Sequence, residues 1–156
     1  MKTKTKIPVL LLCHGRAHTT KSCTPLNDIS CCPTSRIDFK DKTLKLTFLD
    51  KDPQANPHIL HDFRKKLVNT KLKSKFDIIT TMCCDTDMLY DEKQDSIVKQ
   101  CFINIVNLLS SNGVFVMPAN QLDWLNKKIL NQIKDHLQLI KKYKSDYDIF
   151  YIFTKL

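Results

Sequence analysis

The stretch FLDKDPQANPHILHDF, residues 48–63, sets Asp50, Asp52 and Asp62 at the ends of what read as two adjacent strands. Acids so placed raise the question of a nucleotide-like cofactor, because open α/β sheets bind ligands beyond the carboxyl ends of their strands. Asp50 has a second reading as a turn residue before Pro53, and Asp62 as the N-cap of a helix opening at FRKKL. A second group, His14, His18, Cys23, Cys31 and Cys32, offers soft ligands from one loop, as tetrahedral zinc requires. Their spacing does not repeat a CxxC pair, so free cysteines are expected and no metal site is assigned. Cys83-Cys84 would be nucleophilic only if a cation lowered a thiol pKa, and otherwise fits a core position. HILH puts His58 and His61 on opposite strand faces, which argues against a shared metal. LLLCHG resembles a His-Gly oxyanion loop, but no G-x-S-x-G elbow follows and that reading is dropped.

The elements that must position these residues follow from periodicity. KIPVLLLCHG is a continuous apolar run closed by Gly15, the pattern of a strand buried on both faces. From Arg16 to Lys42 no helical period is legible, which predicts a long Cys-containing loop. TLKLTFLD predicts a second strand over about 43–49 and HILHDF a third, with Pro53 and Pro57 discouraging a helix between them. RKKLVNTKLKSK reads as a short basic helix or turn, and FDIITTMCC as a fourth strand rich in β-branched residues.

DEKQDSIVKQCFINIVNLLSSNG is the clearest helix, with Ile97, Cys101, Ile105 and Leu108 at three- and four-residue spacing and a left-handed stop expected at Asn112-Gly113. VFVMP is a fifth strand. QLDWLNKKILNQIKDHLQLIKKY predicts a second amphipathic helix, with Leu122, Leu125, Ile129, Ile133, Leu137 and Ile140 on one side. YDIFYIFTK is the last strand. Strands alternating with helices predict a largely parallel α/β sheet. Gly15, Asp50, Asp62 and the stretch from Cys83 to Asp87 then share one edge.

At 156 residues the chain fits one domain, 1–156, and no internal repeat or second domain is visible. It is 42% hydrophobic and 26% charged, and no apolar run reaches the roughly 18 residues of a membrane span. The opening MKTKTKIPVLLLCHG lacks a small-residue cleavage site, so it reads as a buried strand. Seven cysteines, several within apolar patterns, favour reduced thiols in a cytoplasmic compartment. The net charge of +9, from 25 Lys+Arg against 16 Asp+Glu, permits weak nucleic-acid binding through phosphates and equally suits solvated helix faces.

In order, VLLLCHG, LTFLD, HILHD, FDIITTMCCD and IVNLLSSNGVFVM resemble the motifs of a class I S-adenosylmethionine-dependent methyltransferase, over about residues 7–156. The resemblance implies a Rossmann-like fold, S-adenosyl-L-methionine as cofactor and a methyl acceptor it does not identify. It implies that Asp50 holds the two ribose hydroxyls, since a carboxylate at a strand end accepts both O–H donors together, and that Asp62 accepts from the adenine amino group. His14, Gly15 and Arg16 would meet the methionine part, Arg16 by pairing with its carboxylate. Cys84 and its neighbours from Met82 to Asp87 would face the reacting methyl group, with Asp85 or Asp87 as a base. The departures are a single glycine in CHGRAHTT, only two glycines in the chain, no legible helix after the first strand and no Asn-Pro-Pro-aromatic motif. They leave a second expectation, a catalytically inactive protein of the same fold serving as a binding or scaffold module.

Overall fold

The structure is a computed structural model that describes residues 6–12, 43–81, 95–118, 131, 133–144 and 149–156. Seven strands form one sheet in the order β3-β2-β1-β4-β5-β7-β6. They are β1 (Lys6–Leu12), β2 (Thr43–Asp50), β3 (Ile59–Leu60), β4 (Phe76–Thr81), β5 (Leu109–Pro118), β6 (Leu137–Lys144) and β7 (Ile149–Lys155). Strands β1 to β5 pair in parallel, and β7 alone is reversed, lying antiparallel to both β5 and β6. Helix α1 (Asp95–Leu108) links the fourth and fifth strands. The expected α/β sheet, largely parallel, is the observed architecture.

The apolar run of β1 goes to the centre of this sheet, where Val9, Leu10, Leu11 and Leu12 are all buried. Alternation splits them. Leu10 and Leu12 join Leu49, Ile79, Phe115 and α1 in the larger core, whereas Val9 and Leu11 pack with Phe48, Ile78 and Val116 on the other face. Phe115 anchors the larger core through an edge-to-face contact with Phe102 and a stacked one with Phe153.

Three expectations are corrected. The third strand is not HILHDF but two residues, because His58 turns its ring onto Phe48 and its Nδ1 accepts the Phe48 N–H at 3.1 Å, where a longer strand would have supplied a carbonyl. Of the two forms expected for the basic stretch after it, helix or turn, the turn is observed: a loop with one 3-10 turn, Thr70–Leu72, capped by the Asn69 side chain.

Helix α1 does not run to Asn112-Gly113. It ends at Leu108, where the Ser74 and Lys75 N–H groups donate to the carbonyls of Asn107 and Leu108, taking up orphan acceptors that a C-cap would otherwise serve. Gly113 instead lies within β5 at an irregularity: Phe76 faces Leu109 but Ile78 faces Val114. A Cβ at Gly113 would stand 3.0 Å from the Phe76 carbonyl oxygen, so close backbone approach explains the glycine.

The second amphipathic helix is also shortened. Asn131 and Ile133 are helical, but Leu137 and Ile140 belong to strand β6. The helical period runs across a segment that pairs instead with the aromatic strand β7; Leu137 is buried, whereas Leu139 and Ile140 are exposed. Leu122, Leu125 and Ile129 lie outside the described residues.

Candidate functional site at the carboxyl edge of the sheet

The register fixes one edge. Leu49 of β2 faces Leu12 of β1, which faces Thr81 of β4. Asp50 is therefore the first residue of β2 beyond that row, level with the point where the chain leaves β1 for Cys13. Its own partner across the ladder is Leu60 of β3. Asp50 is only 9% exposed, unusually little for an acid.

Two local bonds hold Asp50 there. Its Oδ1 accepts the Asp52 N–H at 2.9 Å, and its carbonyl accepts the His61 N–H at 2.9 Å. The turn continues as Asp52 caps the single 3-10 turn Pro53–Ala55 by accepting the Gln54 N–H, and Asn56 follows in the left-handed region at φ 49°. So the turn expected of Asp50 is real. It also leaves the carboxylate at the end of β2.

Asp62 lies just past β3 at the same edge, and its carboxylate is engaged. Its Oδ1 accepts from the Arg64 backbone N–H at 3.1 Å and from Nε at 2.9 Å, while Oδ2 accepts from Nη2 at 2.9 Å. This bidentate pair holds the Asp62 pKa down at about 2 despite the opposing effect of burial. Oδ2, with one such bond, keeps a lone pair that a further N–H donor can use. No helix follows Asp62, so it caps a turn through Arg64 and not a helix FRKKL.

Burial, reinforced by the negative charge of Asp62, pushes the Cys101 thiol of α1 up to about 12. Cys101 is thus a small core residue, as its pattern predicts, and not a nucleophile.

Sequence reasoning passed over Asn104. It is 1% exposed and uses its whole amide: Nδ2 donates to the carbonyls of Phe63 at 2.8 Å and Lys65 at 2.9 Å, and Oδ1 accepts from Leu67 N–H at 3.2 Å and Gln100 Nε2 at 3.0 Å. These bonds fix the chain that carries Asp62 and Arg64 against α1. The signal available in the sequence was an amide set among Ile103, Ile105 and Cys101, since a polar residue on an apolar face must be satisfied by something.

Of the expected site residues, Asp50 and Asp62 are described and share this edge. His14, Gly15, Arg16, Cys84, Asp85 and Asp87 lie outside the described residues, as do His18, Cys23, Cys31 and Cys32. Among the described residues, no group of three or more His, Cys, Asp or Glu side chains is placed to hold a metal, and no helix is long and apolar enough to cross a membrane.

No family model matches the chain. In sequence it is 32% identical over 126 residues to the tRNA-specific 2-thiouridylase MnmA of Karelsulcia muelleri, a match covering 81% of this chain and spanning only 28% of that relative's length. Solved structures match more fully. A TehB-like SAM-dependent methyltransferase from Corynebacterium glutamicum superposes with a TM-score of 0.60 at 14% identity, over 96% of this chain and 80% of that one. A SAM-dependent methyltransferase from Clostridium acetobutylicum gives 0.58 at 15% identity, over 94% and 83%. The N-methyltransferase NodS from Bradyrhizobium japonicum gives 0.56 at 15% identity, over 96% and 85%. At such identities the likeness speaks for fold alone. With its 3-2-1-4-5-7-6 sheet, reversed seventh strand and these structural neighbours, the chain has the Rossmann-like fold of the SAM-dependent methyltransferases.

Proposed function

We propose that this chain binds S-adenosyl-L-methionine at the carboxyl edge of β1, β2 and β3 and acts as a methyltransferase. The observation that carries the reading is the position of Asp50, a nearly buried acid on the first residue of β2 beyond the Leu12–Leu49 row. The Asp52 N–H holds that carboxylate in place, so little rotamer entropy is left to lose when a pair of ribose hydroxyls donates to it. Asp62 would accept from the adenine amino group through Oδ2, its other oxygen staying with Arg64. His14, Gly15 and Arg16, which follow β1 in sequence, would meet the methionine part, and Cys84, two residues beyond Met82 after β4, would border the reacting centre.

When bound, the cofactor supplies an electrophilic methyl group on a sulfonium. The protein must then orient an acceptor and take its proton, a task for Asp85 or Asp87. The acceptor would be a small molecule or macromolecule carrying a nucleophilic N, O or S atom.

A specific observation favours a second reading. The chain has two glycines, one of them, Gly113, committed to the β4–β5 contact, so Gly15 alone is left for close backbone approach to a ligand. A chain that has lost the cofactor would keep the fold as a binding or scaffold module.

A thermal-shift series with S-adenosylhomocysteine separates the two. At 100 times the dissociation constant the ligand stabilises the native state by about 2.7 kcal/mol, a rise of roughly 5–10 °C for a domain of this size. No shift at millimolar ligand would leave the second reading.

A further inference from the structure

We infer that the β3–β4 connection is a docking surface for the phosphate backbone of single-stranded nucleic acid. From Phe63 to Phe76 the chain carries Arg64, Lys65, Lys66, Lys71, Lys73 and Lys75 and no acid at all. Arg64 is committed to Asp62, but the five lysines are exposed. The acids bounding the run are both engaged, Asp62 by Arg64 and Asp77 by the Ser110 hydroxyl at 2.7 Å.

A run of lysines usually belongs to a solvated helix face or a floppy linker. This one is neither. Phe63 and Leu72 are buried and Leu67 packs against the same core, so the loop is pinned by its apolar side chains while its lysines point outward. Asn104 clamps its first half through Phe63, Lys65 and Leu67. Ser74, held at φ 52°, and Lys75 tie its end to the last carbonyls of α1, where cations also complement the helix dipole. The result is a fixed strap of positive charge leading from the carboxyl edge of the sheet, at Asp62, to its opposite edge at Phe76.

Fixed, closely repeated cations with no acids among them match a phosphate chain, which presents one negative charge per nucleotide and releases counterions when neutralised. A single strand suits a curved loop better than a rigid duplex does. The aromatic side chains of the strap, Phe63 and Phe76, are buried, so stacking would contribute little and base identity would not be read. A lipid surface is the weaker match, because amphipathic membrane binding needs an apolar face and Val68 is the only fully exposed apolar side chain in the loop. This surface stands whether or not the carboxyl edge binds a cofactor, so the two readings fail separately.

The test is fluorescence anisotropy with a 20-nucleotide single-stranded RNA and the DNA of the same sequence, between 50 and 200 mM salt. Wild type should bind both alike, since phosphate contacts ignore the 2′-hydroxyl. Four or five contacts give a slope of log K on log salt near −3, roughly a hundredfold loss over that range. The combined variant Lys65→Ala, Lys66→Ala, Lys71→Ala, Lys73→Ala should lose at least tenfold at 50 mM salt with a shallower slope. Lys141→Ala with Lys142→Ala, on exposed β6, should stay within twofold. Melting temperatures check that both are folded, and the pair Lys65→Gln, Lys66→Gln repeats the test at smaller amplitude if the fourfold variant melts early. No wild-type binding at 50 mM salt overturns the proposal. So does equal loss in the loop and β6 variants, or loop-dependent binding to phosphatidylserine vesicles without nucleic-acid binding.

Discussion

Leu49 lies opposite Leu12 across the β1–β2 ladder, which puts Asp50 level with the residue at which the first strand gives way to CHG. An acid on β2 and the end of β1 are thereby brought to one edge from positions far apart in sequence. The consequences of this arrangement and of the elements that support it can be measured.

Asn104→Ala should destabilise the protein by about 3 kcal/mol, because it removes four hydrogen bonds and strands the buried Phe63 carbonyl. Urea unfolding reads this directly. A loss below 1 kcal/mol would mean that the 63–67 segment finds other partners.

Gly113→Ala should cost about 1–3 kcal/mol, since the new methyl would press on the Phe76 carbonyl oxygen and on Leu109 Cδ2, each 3.0 Å from its position. The carbonyl is part of the β4–β5 contact and has little room to retreat. A neutral or stabilising change in melting temperature would show that this irregularity relaxes freely.

Acid stability should report the Asp62–Arg64 pair. The folded-state pKa of Asp62, about 2, lies below its ordinary value of 3.8. The contribution is therefore fully present above about pH 4 and is lost as pH falls toward 2. It amounts to about 1–2 kcal/mol for a partly exposed pair. Asp62→Asn should flatten the stability curve of wild type between pH 4 and 2 and leave its shape near neutrality unchanged. An unaltered acid limb would contradict the pairing.

Cys101 should resist alkylation. With its thiol pKa pushed up to about 12 and its side chain 2% exposed, it offers neither thiolate nor access. Iodoacetamide at pH 8, followed by peptide mapping, should modify residue 101 only after denaturant is added. Rapid modification in the native state would mean that α1 opens readily.

What could be read in the sequence follows from where packing repeats locally. Strands buried on both faces, such as β1, announce themselves as continuous apolar runs, and Cys101, Ile105 and Leu108 announce a helix. The order of those elements carried the fold. What was hidden depends on partners distant in the chain. The LQLIKKYK segment carries helical spacing but becomes a strand because β7 lies beside it. The shortness of β3 rests on His58 reaching Phe48, and the stop of α1 on Ser74 and Lys75, over thirty residues earlier. At the site, strand-end acids were legible as residue types at element ends. The Arg64 fork on Asp62 and the Asn104 clamp were not, because local sequence does not say which polar group a side chain will meet.

Calorimetric titration of S-adenosylhomocysteine into wild type and into Asp50→Ala decides whether Asp50 holds the cofactor. Asp50 lies at the sheet edge, where its side chain accepts the Asp52 N–H and adds no apolar area to the core. The variant should stay folded. Saturable one-to-one binding by wild type, weakened at least a hundredfold in the folded Asp50→Ala variant, is the predicted result; equal binding by both, or none by wild type, would contradict the account.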